Sequence, residues 1–122
     1  VTSPGVDSID ELRLRLRQFA RERDWEQFHS PKNLSMAMIA ECAELVEHFQ
    51  WLTREQSEHL SPEKHAEVRL ELADVFIYLI RIADRLDVDL AQAAWEKIGV
   101  NEHRYPAGRV RGDARRACEY DE

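Results

Sequence analysis

From Ser8 onward, apolar residues recur at helical spacing. Ile9, Leu12, Leu16 and Phe19 form one stripe, and Ser8 followed three residues later by Glu11 matches a capping box, so a first helix is expected to about Trp25. Ser30 and Ser61 each precede a proline, the arrangement in which a hydroxyl caps a helix and Pro occupies its first turn. Second and third helices should begin there. Asp89 with Gln92 repeats the capping pattern and opens a fourth helix through Ala93, Trp95 and Ile98 to about Arg104. The glycines are Gly5, Gly99, Gly108 and Gly112, so from Val6 to Ile98 only Pro31 and Pro62 punctuate the chain. The pattern predicts an all-α protein. Residues 1–105 form the expected single domain, and past Pro106, where charges of both signs mix without periodicity, residues 106–122 are expected to be a mobile tail.

The second and third helices differ from the first in having apolar residues on nearly every face. Leu34, Met36, Ile39, Leu45, Val46 and Phe49 ring one, and Val68, Leu70, Leu72, Val75, Phe76, Ile77 and Ile80 ring the other. A surface helix keeps one polar side, and these barely do. Four short helices hold too little protein to cover both faces, so self-association is expected. The alternative is a central pair wrapped by the first and fourth helices.

Within those segments Glu41 and Glu44 stand at i and i+3, as do Glu71 and Asp74, so each pair shares a helix face. The connection from Thr53 to Ser61 is short enough to fold the two helices into an antiparallel hairpin. In a hairpin the numbers of residues at one level have a constant sum. With Leu52 and Glu63 as its ends that sum is 115, which both Glu41 with Asp74 and Glu44 with Glu71 satisfy. Four acids are thus expected to converge about 12 Å from the turn. Solvated helix surface is the ordinary reading of such a pair. The apolar neighbours argue otherwise, because like charges clustered in oily surroundings are costly unless a cation compensates or protons are taken up. All-oxygen ligands favour Mg²⁺ or Mn²⁺, and Mg²⁺ binds readily through a few carboxylates plus substrate phosphate. A di-iron bundle would need two Glu-x-x-His motifs, and only Glu26 with His29 has that spacing.

On the fourth helix Lys97, Asn101, Arg104 and Tyr105 make one stripe of two cations, an amide and a phenol, suited either to phosphate or to plain solvation. Trp25, His29 and Trp51 fall where segments end. They can stack on a base at a cleft rim or simply pack in the core.

Composition narrows the partners. The 122 residues carry 17 basic and 24 acidic side chains, a net charge of −7, with 43% hydrophobic residues. That is one domain's worth of chain, burying roughly two thirds of its unfolded surface. The acidic balance works against a nucleic acid polymer or an anionic membrane as partner. Cys42 and Cys118 belong to no C-x-x-C pair, and the longest apolar run, Val75 to Ile80, is too short to span a bilayer. A cytoplasmic protein is expected.

Taken together, the W-E-Q-F-H-S-P-K-N-L stretch from Trp25, the E-C-A-E segment from Glu41, F-Q-W ending at Trp51, the E-L-A-D segment from Glu71 and the K-x-x-x-N-x-x-R-Y-P run from Lys97 to Pro106 resemble the MazG-like all-α nucleoside triphosphate pyrophosphohydrolases, most of all the dCTP pyrophosphatase branch. The resemblance implies a four-helix bundle assembling as dimers or dimers of dimers. It implies Mg²⁺-dependent hydrolysis of a deoxynucleoside triphosphate, dCTP or a modified dCTP, between its α and β phosphates. Glu41, Glu44, Glu71 and Asp74 would be the metal ligands and catalytic acids. Lys97 and Asn101 would meet triphosphate and sugar with Tyr105 bordering them, Trp25, His29 and Trp51 would form the base pocket, and Arg104 and Lys32 are further phosphate candidates. Where many relatives carry a leading acid on the first acidic helix, this chain has Ala40, which leaves the general base open, with Glu41 the nominee. The same chemistry on dUTP or a non-canonical purine nucleotide, and a non-enzymatic helical interaction module, are the competing readings.

Overall fold

Serine and aspartate caps set the frame. In the computed structural model, which describes residues 8–119, the Ser8 hydroxyl accepts from the Glu11 amide at 3.2 Å and starts α1, Ile9–Glu22. Ser30 accepts from Asn33 at 3.1 Å before α2, Pro31–Glu47, and Ser61 accepts from Lys64 at 3.2 Å before α4, Pro62–Arg85. Asp89 caps α5, Leu90–Arg104, through the Gln92 amide at 3.0 Å. Each bond satisfies one amide that has no partner inside its own helix. Residues before Ser8 and after Glu119, including the Asp121 and Glu122 of the expected tail, lie outside the described part.

The described residues contain six α-helices and no strand. The architecture is all-α, as the periodicity predicts, and two further helices are short. α3, Arg54–Glu58, sits in the connection between α2 and α4, held by a reciprocal capping box of Thr53 and Gln56. α6, Ala107–Val110, follows Pro106, and a 3₁₀ turn spans Ala117–Glu119. α1 ends at Glu22 rather than near Trp25. Asp24 takes a left-handed φ of 53°, which turns the chain into a 3₁₀ segment, Glu26–Phe28. α2 likewise stops at Glu47, short of Leu52.

By internal contacts the chain divides into two units, residues 1–88 and 89–122. In the first, α2 and α1 both pack on α4. Three contacts fix the direction of α2 against α4: His48 meets Lys64 at 3.1 Å, Glu41 and Glu44 meet Glu71, and His29 meets Arg81 at 3.4 Å. Falling numbers on α2 pair with rising numbers on α4, so the two helices form an antiparallel hairpin. Ala20 of α1, Leu34 of α2, and Val68, Ile80 and Ala83 of α4 are the buried apolar residues of this unit. The second unit consists of α5, α6 and the final turn. Among the described residues no helix is long and apolar enough to cross a membrane.

Candidate active site and family

The hairpin brings Glu41 and Glu44 of α2 together with Glu71 of α4. One carboxylate oxygen from each lies within 4.8 Å of the other two. The i, i+3 spacing puts the first two on one face, and the antiparallel pairing places Glu71 opposite them. Glu41 and Glu71 are half-buried while Glu44 is exposed. Asp74 is exposed and lies outside this trio, although its negative charge acts on both Glu41 and Glu71.

The electrostatics of the trio are those of a site short of positive charge. Burial, then the carboxyl contact and charge of Glu44, the charge of Asp74 and the contact with Glu71 push the Glu41 carboxyl up to about 7. Burial and the charge of Glu44 also raise Glu71, against a lowering contact from Glu41. Oε2 of Glu41 and Oε2 of Glu71 are buried with no hydrogen-bond partner. Buried acceptors without donors are costly, and a divalent cation would satisfy both and remove the mutual repulsion. The donor set therefore fits a hard, oxygen-liking ion such as Mg²⁺ or Mn²⁺.

The other sequence-predicted residues are dispersed. Trp25 meets Phe19 edge-on at 5.7 Å and His29 at 6.3 Å, so two of the three base-pocket candidates adjoin one another. Trp51 is 86% exposed, in the turn between α2 and α3. Lys32, in the first turn of α2, is also exposed. Lys97, Asn101 and Arg104 are exposed on α5, and the Arg104 guanidinium lies 5.7 Å from the ring centre of half-buried Tyr105. These four belong to the second unit and form a stripe within it.

The MazG-like family profile matches residues 37–114, a span that contains all four acids and the α5 stripe. The chain belongs to the MazG-like family. It is 42% identical to human (Homo sapiens) dCTP pyrophosphatase 1 over 114 residues, covering 92% of this chain and 67% of that protein. Against the Bos taurus dCTP pyrophosphatase 1 it is 43% identical over 115 residues, covering 93% of this chain and 66% of the relative. The chain thus spans about two thirds of the length of these relatives. Among solved structures, a pyrophosphatase of Archaeoglobus fulgidus superposes with a TM-score of 0.77 at 34% identity, covering 87% of this chain and 99% of that one. Trp25 and His29 precede the matched span.

Sequence reasoning missed one charged group in this MazG-like chain. Arg81 is 3% exposed and, with Arg13 and Arg17 of α1, surrounds the carboxylate of Asp84. The signal was Arg81 standing between Ile80 and Ile82 on an otherwise oily helix, with Asp84 one turn on.

Proposed function

We propose that this chain is a divalent-metal-dependent deoxynucleoside triphosphate pyrophosphohydrolase, cleaving between the α and β phosphates to release a monophosphate and pyrophosphate, with dCTP or a modified dCTP preferred. The observation that carries the reading is the convergence of Glu41, Glu44 and Glu71 with two buried, unpartnered oxygens, in a chain 42% identical to a dCTP pyrophosphatase. Carboxylates arranged this way repel a triphosphate by themselves, so phosphate can approach only if the site carries a compensating charge. Glu41, Glu44 and Glu71 would hold the ion, joined by Asp74. When bound, Mg²⁺ neutralises phosphate charge and lowers the pKa of a coordinated water.

The chain's own groups supply the rest. Glu41, one of the three converging carboxylates, is the nominee for general base toward an attacking water. Lys97 and Asn101 are the proposed contacts to triphosphate and sugar, Arg104 and Lys32 add positive charge, and Tyr105 borders them. Trp25, His29 and Trp51 form the proposed base pocket. Met36, Ile39, Val46, Leu70 and Leu72 are each more than half exposed, which suits a homodimer or homotetramer that covers them. The unpaired Cys42 and Cys118 suit a reducing cytoplasm.

Incubation with a panel of nucleoside triphosphates, with and without Mg²⁺, tests the reaction. Monophosphate with pyrophosphate is expected, only with metal, and fastest from dCTP. Diphosphate with inorganic phosphate would mean that the wrong bond is cut.

A further inference from the structure

Seven residues past Asp74, two turns along α4 and about 10 Å away, stands a buried cation that the acids do not use. Arg81 is 3% exposed, and burial works against its charge. Nη1 donates to Asp84 at 3.2 Å and Nε donates to Nδ1 of His29 at 3.4 Å, while Nη2 is buried with no hydrogen-bond partner. A charged donor left unmade in the interior is costly. Asp84 does not depend on Arg81 alone for neutralisation, since it also accepts from Arg13 at 3.2 Å and from Arg17 at 3.1 Å. Buried ionic groups replaced by apolar ones of similar size often cost no stability, and here the replacement would leave no charge unpaired. Stability therefore does not account for Arg81.

Its remaining bond leads to an aromatic wall. His29 meets Trp25 edge-on with ring centres 6.3 Å apart, and Phe19 of α1 meets the same indole at 5.7 Å. The Trp25 amide donates to the Ala20 carbonyl at 2.9 Å, which ties its backbone to α1, yet the residue is 43% exposed. Phe19 has no polar atom to fix its ring, whereas His29 is held by a hydrogen bond from a buried side chain. A planar guanidinium that bonds Asp84 through one nitrogen and the imidazole through another fixes both in one geometry, which the single ammonium of a lysine does not. A ring nitrogen that accepts from an arginine carries no proton, so neutral His29 bears its hydrogen on Nε2. The neutral form is favoured, because burial, then Arg81 and Arg85, hold the imidazole below its usual range against the opposing charge of Glu26.

We propose that Arg81 is a positioning residue for the base pocket: anchored on Asp84, it fixes the ring of His29, and His29 fixes the exposed indole of Trp25 on which a nucleoside base stacks. The inference rests on the reading above that Trp25 borders the base of a nucleoside triphosphate. Arg81→Met should melt no lower than the parent and raise KM for dCTP about fivefold or more, with kcat within about twofold. Inorganic tripolyphosphate, which has the phosphates and no base, should inhibit both proteins equally. Trp25→Ala should raise KM by itself, and adding Arg81→Met to it should change KM by less than about twofold, as expected of two residues acting through one contact. In the nitrogen-15 spectrum the wild-type His29 should show protonated Nε2 and bare Nδ1. A parental KM in Arg81→Met or in Trp25→Ala, a tripolyphosphate constant that rises along with KM, full additivity in the double mutant, or a wild-type His29 protonated on Nδ1 would each overturn the proposal. Should Arg81→Met not fold, Arg81→Lys, which keeps a charge beside Asp84, is expected to raise KM in the same way, and failure of both to fold would make Arg81 structural and end the proposal. A wild-type chain that hydrolyses no nucleoside triphosphate sinks the reaction proposed above, whereas an active chain whose KM ignores Arg81 sinks this inference alone.

Discussion

Glu41 shows how much one residue's environment changes its chemistry. On an exposed helix its carboxyl would be ionised well below neutral pH, whereas burial and three acidic neighbours raise it to about 7. In the folded, metal-free protein it binds a proton that the unfolded chain releases above about 4.5. Metal-free stability therefore falls as pH rises from there through about 7, and a cation must displace that proton when it binds. Thermal melts with and without Mg²⁺ should show a larger metal-induced rise in Tm at pH 8 than at pH 5.5. Glu71→Gln and Asp74→Asn keep side-chain shape and remove charge. Each should abolish turnover, measured as pyrophosphate release, while circular dichroism stays that of the parent. Full activity in either variant would remove these acids from the site.

At the scale of elements, the attachment of α1 to α4 depends on a charge network as well as on Ala20 and Ile80. Asp84 is only 5% exposed and is held below its ordinary value, chiefly by its hydrogen bond with Arg17. Asp84→Asn leaves Arg81 buried without its counter-charge. The loss should be roughly 3 kcal/mol in urea unfolding, at the low end for a broken buried pair because Arg13 and Arg17 can turn to water. The sign with pH is the reverse of that for Glu41: a depressed carboxylate stabilises the fold above 3.8, and the contribution is lost as pH falls below that value. The mutant should thus lose the part of the acid transition that belongs to Asp84. Helix starts were legible in advance because a capping serine or aspartate acts on amides two or three residues away. α3 and α6 were not, since helices of five and four residues are too short to show an apolar period, even though Thr53 and Gln56 spell a capping box.

For the whole molecule, the large exposed apolar side chains carry the prediction. Sedimentation equilibrium should report a dimer or tetramer, and Leu70→Glu or Ile39→Glu, at 62% and 66% exposure, should shift it toward monomer without unfolding. Trp51, at 86%, packs against almost nothing in a single chain. Trp51→Ala should accordingly leave the monomer's stability near that of the parent and weaken nucleotide binding more than Mg²⁺ binding. Equal nucleotide affinity in the mutant would take Trp51 out of the base pocket.

The sequence by itself determined the helical class, the four main helix starts and the two acidic pairs, because caps, spacing and apolar neighbours all act within a turn or two of chain. It also carried the family, through motifs spread from Trp25 to Pro106. Only the tertiary structure decided which acids meet, selecting Glu41, Glu44 and Glu71 and leaving Asp74 beside them. The antiparallel pairing of α2 with α4 followed from the short connection between Thr53 and Ser61, but the register that closes three of the four carboxylates on one point depends on where α2 stops and how α3 bridges the gap, which no local pattern specifies. Arg81 and Asp84 stand one turn apart in the sequence, but Arg13 and Arg17, up to 71 residues from Asp84, become its partners only when α1 docks on α4.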